Sequence, residues 1–286
     1  MNSKGVKVAL FLVAFLAVFR LGSGIQAQGA EPCGSEDCIV CHEDQANAIT
    51  MSVHWGGTDP EGNPIGCQSC HGPSAEHCQA PEENMPTVAY TDSERPEDKL
   101  NMCLGCHAAR ESSFHFKESA HIKGGISCDK CHQPHYAATQ DKLLPKEISS
   151  ICFGCHEERL AEANLNERHR VHEGMVSCVD CHDQHGPSSR SQLWGFKQEV
   201  CFKCHTDKQG PFLYEHLSVR VEGCTACHDP HGSVNRHMLR YQKVADLCFS
   251  CHVEPPSFHS RFTHDTQCTN CHANIHGSNL SPQFLD

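Results

Sequence analysis

The 286-residue chain has little of what an ordinary folded domain is built from. No long apolar run follows residue 30, so no later segment is expected to span a bilayer, which takes about 20 such residues. Hydrophobic residues make up only 38 %, and many of them are cysteines of one recurring motif, which excludes a core of the usual size. Basic residues are outnumbered, with 23 Lys and Arg against 35 Asp and Glu. The formal charge of −12 excludes the cationic surface that nucleic acid or an anionic membrane would call for. Strand patterning is negligible. After Met1 only five methionines remain, and they follow no repeat.

Cysteine and histidine are what the chain has in excess, 22 and 24 residues. The pentapeptide Cys-x-x-Cys-His occurs ten times. Its cysteine pairs are Cys38 and Cys41, Cys67 and Cys70, Cys103 and Cys106, Cys128 and Cys131, and Cys152 and Cys155. The remaining five are Cys178 and Cys181, Cys201 and Cys204, Cys224 and Cys227, Cys248 and Cys251, and Cys268 and Cys271. The closing histidines are His42, His71, His107, His132, His156, His182, His205, His228, His252 and His272. In this motif both thiols add across the vinyl groups of a haem, and the adjacent His becomes the proximal iron ligand. Zinc or a redox dithiol would also use Cys-x-x-Cys, but neither requires a His directly after every second Cys. The motif count predicts ten covalently attached c-type haems.

Residues 1–30 read as a secretory signal. Lys4 and Lys7 precede an apolar run from Val8 to Phe19, and cleavage is expected after Ala27, Gly29 or Ala30. Twelve apolar residues before Arg20 are too few to span a bilayer, so cleavage is favoured over anchoring. The cysteine content fits an oxidising compartment.

Removing the leader leaves about 256 residues, roughly 26 for each haem motif. The porphyrins must then supply most of the apolar surface, and haem attachment should drive folding. The expected fold is a multihaem c-type cytochrome with little regular secondary structure: short α-helices and loops wrapped around a linear array of ten haems, with essentially no β-sheet. Helices are expected as short pieces after odd-numbered motifs, such as 157–167. From the second module on, odd and even motifs each advance by 44 to 50 residues, which marks a linear repeat. The partition is five dihaem modules, about 31–98, 99–147, 148–197, 198–243 and 244–286. An insert from Gln79 to Asp98, with Pro81, Pro86 and Pro96, reads as a solvated surface loop. Glycines beside ligands, among them Gly232 and Gly277, are expected where backbone turns tightly against a porphyrin face.

Fourteen histidines lie outside the motifs. Each even motif has one before it and one after it, which overrides the reading of any one of them as a solvated side chain. The expected distal iron ligands are His54, His77, His121, His135, His172, His185, His216, His231, His259 and His276. The spacing also admits His169 in place of His172 and His264 in place of His259, while His115 and His237 are surplus. In a Cys-His-x-x-His tail the second His cannot reach its own iron, because the proximal His three residues earlier holds it, so it must serve a neighbour. Two imidazoles on each iron predict low-potential, low-spin haems closed to exogenous ligands, which argues against a catalytic site. Cys33 and Cys78 belong to no motif and are either a disulfide or two free thiols.

The chain resembles the periplasmic decahaem cytochromes of porin–cytochrome conduits, the MtrA/DmsE/PioA type. The resemblance runs along essentially the whole mature chain. It is carried by Cys67-Gln-Ser-Cys-His-Gly-Pro73 with His77, Cys201-Phe-Lys-Cys-His205, Gly210-Pro211 and Glu215-His216. Further along it is carried by Cys224-Thr-Ala-Cys-His-Asp-Pro-His-Gly-Ser-Val234 and Ile275-His-Gly-Ser278. It implies an elongated haem wire in the periplasm, associated with the outer membrane and inserted into an outer-membrane β-barrel porin. Its implied partners are periplasmic or inner-membrane electron-donor cytochromes and an outer-surface multihaem cytochrome. Its implied role is extracellular electron transfer, in metal or other extracellular respiration or in Fe(II) oxidation. The competing readings are a multihaem reductase for nitrite, hydroxylamine or a sulfur oxyanion, and a cytochrome filament subunit. A reductase would keep one iron open, and none of the ten motifs departs from Cys-x-x-Cys-His.

Overall fold

A computed structural model of the chain describes residues 33–109, 115–138, 142–186, 198–259 and 261–285. The expected leader lies outside these residues. Each haem motif forms one helical turn. In eight motifs the His N–H donates to the carbonyl of the first Cys at 2.8–3.1 Å. The other two lie wholly within the helices Cys67–His71 and Pro96–His107.

Odd and even motifs use that turn differently. Odd motifs come at the end of a helix, on Ser35–Cys41, Pro96–His107, Ile148–Phe153, Glu199–Phe202 and Val244–Phe249. The longest of these begins with Pro96 at its first position, where the missing N–H costs nothing. Even motifs instead begin a single turn on their first cysteine, at Cys67–His71, Cys128–Lys130, Cys178–Cys181, Cys224–Ala226 and Cys268–Asn270. Three of the five are 3₁₀ turns, the tighter form suited to short pieces. The helix expected over 157–167 ends at Glu162. Glu167 is drawn off by a two-way backbone bridge to Ser233, at 3.2 and 2.8 Å.

Regular sheet among the described residues is one antiparallel pair, β1 (Tyr214–Glu215) with β2 (Gly277–Ser278), in the register Tyr214–Ser278 and Glu215–Gly277. The buried apolar set is equally small. Leu100, Phe116 and Ile122 form a cluster with Leu104 and Cys128 against it, and Val88, Leu143, Ala163, Val200 and Ala245 are buried elsewhere. Buried Lys99 is paired with Asp129 at 3.4 Å beside that cluster.

One expectation needs correction. The 79–98 insert is not simply a solvated loop, because Val88 is buried and Tyr90 sets its ring edge-on to His71 at 5.3 Å. The Tyr90 hydroxyl donates to the Cys70 carbonyl at 3.2 Å, so the insert closes over the second motif. Gly232 and Gly277 also make close approaches to residues earlier in the chain. A Cβ on Gly232 would stand 2.1 Å from the Glu162 carbonyl oxygen, and one on Gly277 would stand 2.2 Å from the Phe212 ring. These glycines let one module's backbone approach the module before it.

So few buried side chains cannot hold this chain folded without its cofactors. Mature-length protein made in cells lacking haem-attachment machinery should show a largely disordered far-UV circular dichroism spectrum and be degraded quickly by trypsin. A cooperative thermal unfolding transition in that haem-free protein would refute this.

Candidate haem centres

The leading cysteines of a module's two motifs lie side by side. The first Cys of each odd motif lies beside the first Cys of the following even motif: Cys38 by Cys67, Cys103 by Cys128, Cys152 by Cys178, Cys201 by Cys224, and Cys248 by Cys268. Groups attached to both members of such a pair must therefore be neighbours. Among the described residues no group of three or more His, Cys, Asp or Glu is arranged to hold a bare metal ion, as a zinc site would need.

Every motif imidazole faces one imidazole from outside the motifs. The pairs in chain order are His42–His77, His71–His135, His107–His54, His132–His185, His156–His121, His182–His231, His205–His169, His228–His276, His252–His216 and His272–His259. Their ring centres are 5.9–6.4 Å apart. Two metal–imidazole bonds of about 2.0 Å, each with about 1.1 Å from nitrogen to ring centre, would separate the centres by ~6.2 Å. The spacing therefore fits an iron held between the two rings, with the motif cysteines in place to hold its porphyrin.

The pairing follows a rule. His54, His121, His169 and His216 each face the odd-motif imidazole of the next module. In return, His135, His185, His231 and His276 each face the even-motif imidazole of the module before. Two histidines thus cross every junction in opposite directions. Only the first and last pairs, His42–His77 and His259–His272, close within one module.

Nδ1 contacts set which ring nitrogen is free. In eight of the paired rings Nδ1 lies in hydrogen-bond range of a backbone carbonyl. His71 meets Val88 at 2.8 Å, His77 meets Asn84 at 2.6 Å, and His272 meets Gln283 at 2.6 Å. His228 meets His237 at 2.9 Å, and His132 meets Lys142. Across module junctions, His121 meets Gln184 at 3.1 Å, His135 meets Gln45 at 3.0 Å, and His169 meets Pro230 at 2.8 Å. A ring that donates from Nδ1 presents a bare Nε2 to a metal, held in one orientation. Burial pushes the imidazoles of His71, His185, His216, His231 and His276 below the ordinary histidine pKa, which keeps them in the neutral form a ligand needs.

The carbonyls over the even-motif histidines come from straps that return 10 to 17 residues later, or 9 at His237. Val88 also donates its N–H to the His71 carbonyl at 3.0 Å, and Gln133 donates to Leu143 at 2.8 Å. At or beside these straps the backbone is left-handed without glycine, at Tyr90, Lys142, Leu143, His237, Met238 and Phe284, with φ between 52° and 60°. Sequence reasoning missed the straps because they act through backbone carbonyls, which carry no side-chain signature.

One expected pairing differs. His169, not His172, stands opposite His205, while the His172 ring packs on Phe153 at 5.7 Å. A signal for this was available. The separations His121 to His156, His169 to His205 and His216 to His252 are 35, 36 and 36 residues, whereas His172 would make it 33. Between the other two candidates, His259 faces His272, and His264 lies against Phe249 with its Nδ1 on the Asp246 carboxylate. Cys33 and Cys78 form a disulfide.

Comparison with known proteins places the haem motifs in known families. A family described as the doubled CXXCH motif matches residues 120–161, 169–210 and 216–256. Each matched segment begins at or just before His121, His169 or His216, and it pairs an even motif with the next odd one, straddling the five-module boundaries expected above. The cytochrome c554 and c-prime family matches residues 74–133. The C-type polyheme cytochrome OmcB of Geobacter sulfurreducens is 24 % identical over 249 residues, which are 76 % of this chain but 30 % of OmcB. The multiheme cytochrome MtrA of Shewanella baltica is 32 % identical over 271 residues, 87 % of this chain and 79 % of MtrA. With that likeness over most of both chains, and with covalent haem attachment motifs throughout, the protein belongs to the MtrA family of multihaem c-type electron-transfer cytochromes.

Proposed function

We propose that this chain is a periplasmic ten-haem wire, seated in an outer-membrane β-barrel porin. It passes electrons between periplasmic or inner-membrane cytochromes and an outer-surface multihaem cytochrome, in extracellular electron transfer. The observation that carries this reading is the opposed imidazole at all ten motifs, at 5.9–6.4 Å. In it the twenty paired histidines would hold the ten irons, with His169 in place of His172.

Each bound haem supplies an iron that accepts and releases one electron. The chain's own residues do the rest. The cysteines would anchor the porphyrin edges, and the neighbouring side chains of Cys38 and Cys67, and of their counterparts in each module, would bring successive cofactors side by side. Two imidazoles would hold each iron and leave no room for a substrate there, which favours an electron carrier over a reductase. Two histidines, rather than histidine with methionine, favour low potentials. All ten pairs close within one chain, which favours a self-contained wire over a filament subunit. No helix of the described residues is long and apolar enough to cross a membrane. The barrel, the outer-surface partner and the periplasmic location come from the family resemblance.

Intact mass of the mature protein should show ten haem additions, and nine or fewer after full maturation would contradict the count. His169→Ala should convert one low-spin haem to a high-spin, carbon monoxide-reactive one, while His172→Ala leaves every haem low-spin; the reverse result would restore His172 as the ligand. Co-reconstituted with its porin, the cytochrome should reduce an acceptor trapped inside liposomes. Equal reduction without a barrel would count against the conduit.

A further inference from the structure

Interior imidazole pairs are each held by two modules at once, but the first pair is not. His42 and His77 both belong to module one, so no junction fixes their spacing. Their segments are joined in a different way. Cys33 stands immediately before Gly34, which caps the helix Ser35–Cys41 carrying Cys38 and Cys41 and ending beside His42. The Gly34 N–H donates to the Asp37 carboxylate at 2.8 Å, and its carbonyl accepts from Asp37 N–H at 3.1 Å. Cys78 lies directly after His77 on the helix Ala75–Gln79. The disulfide thus links the start of the proximal helix to the residue beside the distal imidazole, across 45 residues and a Cα–Cα distance of 6.4 Å.

A second tie runs parallel to it. The Gln68 amide donates to the Cys33 carbonyl, and its oxygen accepts the Ser74 N–H at 3.3 Å, at the start of the His77 helix. The other pair that closes within a module has no such clamp. His259 is packed between Phe258 and Phe262, with ring centres at 4.2 and 5.1 Å, and its Nδ1 is buried with no hydrogen-bond partner among the described residues. The disulfide is therefore a feature of the N-terminal centre rather than of array ends in general.

We propose that the Cys33–Cys78 disulfide positions His77 over the first iron, so that opening it frees that iron's distal site while the other nine stay closed. The inference rests on the reading of His77 as an axial ligand. Opening is a two-electron step. A dithiol reductant gives two electrons and two protons to the S–S bond, yielding the Cys33 and Cys78 thiols, and itself closes to a disulfide. Cross-module ligands elsewhere are untouched, because no other cysteine lies outside a haem motif.

The test compares holoprotein of the wild type, Cys33→Ser with Cys78→Ser, and His77→Ala, each reduced and titrated with carbon monoxide. Wild-type protein is also treated with dithiothreitol and iodoacetamide until mass spectrometry finds two alkyl groups, then freed of reagent. That arm needs no refolding or maturation of a variant. The cysteine variant and the alkylated protein should each rise from no carbon monoxide toward about one per chain, with a matching high-spin signal in the oxidised state. His77→Ala should do the same. If His77→Ala opens one iron but both cysteine arms stay closed and low-spin, the positioning role is wrong and the ligand reading stands. If His77→Ala leaves every iron closed, the ligand reading of His77 fails, and the inference with it.

Discussion

The exchange of histidines across module junctions is the constraint on which the rest of this structure depends. In the proposed assignment eight of ten irons draw their two ligands from different modules, so no interior module can complete its own centres. The small cluster of Leu100, Phe116 and Ile122 cannot substitute for that stitching. Ligation and porphyrin burial must then carry the stability that a hydrophobic core carries elsewhere, as metals do in small domains. The same exchange sets the order of the array, because each pair of crossing histidines permits only one neighbour on each side.

Holding so many imidazoles in register places demands on the backbone. A non-glycine residue in the left-handed region costs roughly 1–2 kcal/mol. The chain nevertheless adopts it at Lys142 and Leu143, at His237 and Met238, and at Phe284, in comparable places after three different even motifs. Repetition at those places gives the conformation a purpose. It turns a strap so that a carbonyl meets Nδ1 of the motif histidine, which fixes the tautomer and the ring orientation. In module one the proline-rich insert does this work, with Val88 over His71 and Asn84 over His77.

The two ends differ from the interior and from each other. Where no neighbouring module is available to hold a distal ligand, the N-terminal centre uses a disulfide and a glutamine bridge, and the C-terminal centre uses phenylalanine packing. At the junctions themselves, close approach is purchased by omitting side chains at Gly232 and Gly277.

The haem motifs, the repeat length and the supply of a second imidazole for each motif histidine are all legible in the sequence, because covalent attachment demands fixed residues at fixed spacing. The family resemblance is carried by the same residues. The scarcity of sheet and the shortness of the helices were legible too, since so few apolar residues cannot specify more. Tertiary structure decided what depends on direction rather than composition. It chose His169 over His172, because the ring that reaches His205 is the one whose Nδ1 is held by the Pro230 carbonyl of the next module. It joined Cys33 to Cys78, and it turned an apparent surface loop into the cover of the second motif. Such choices rest on backbone carbonyls and on residues far apart in the chain, 61 positions for His169 and Pro230 and 45 for Cys33 and Cys78, where direction rather than residue type decides.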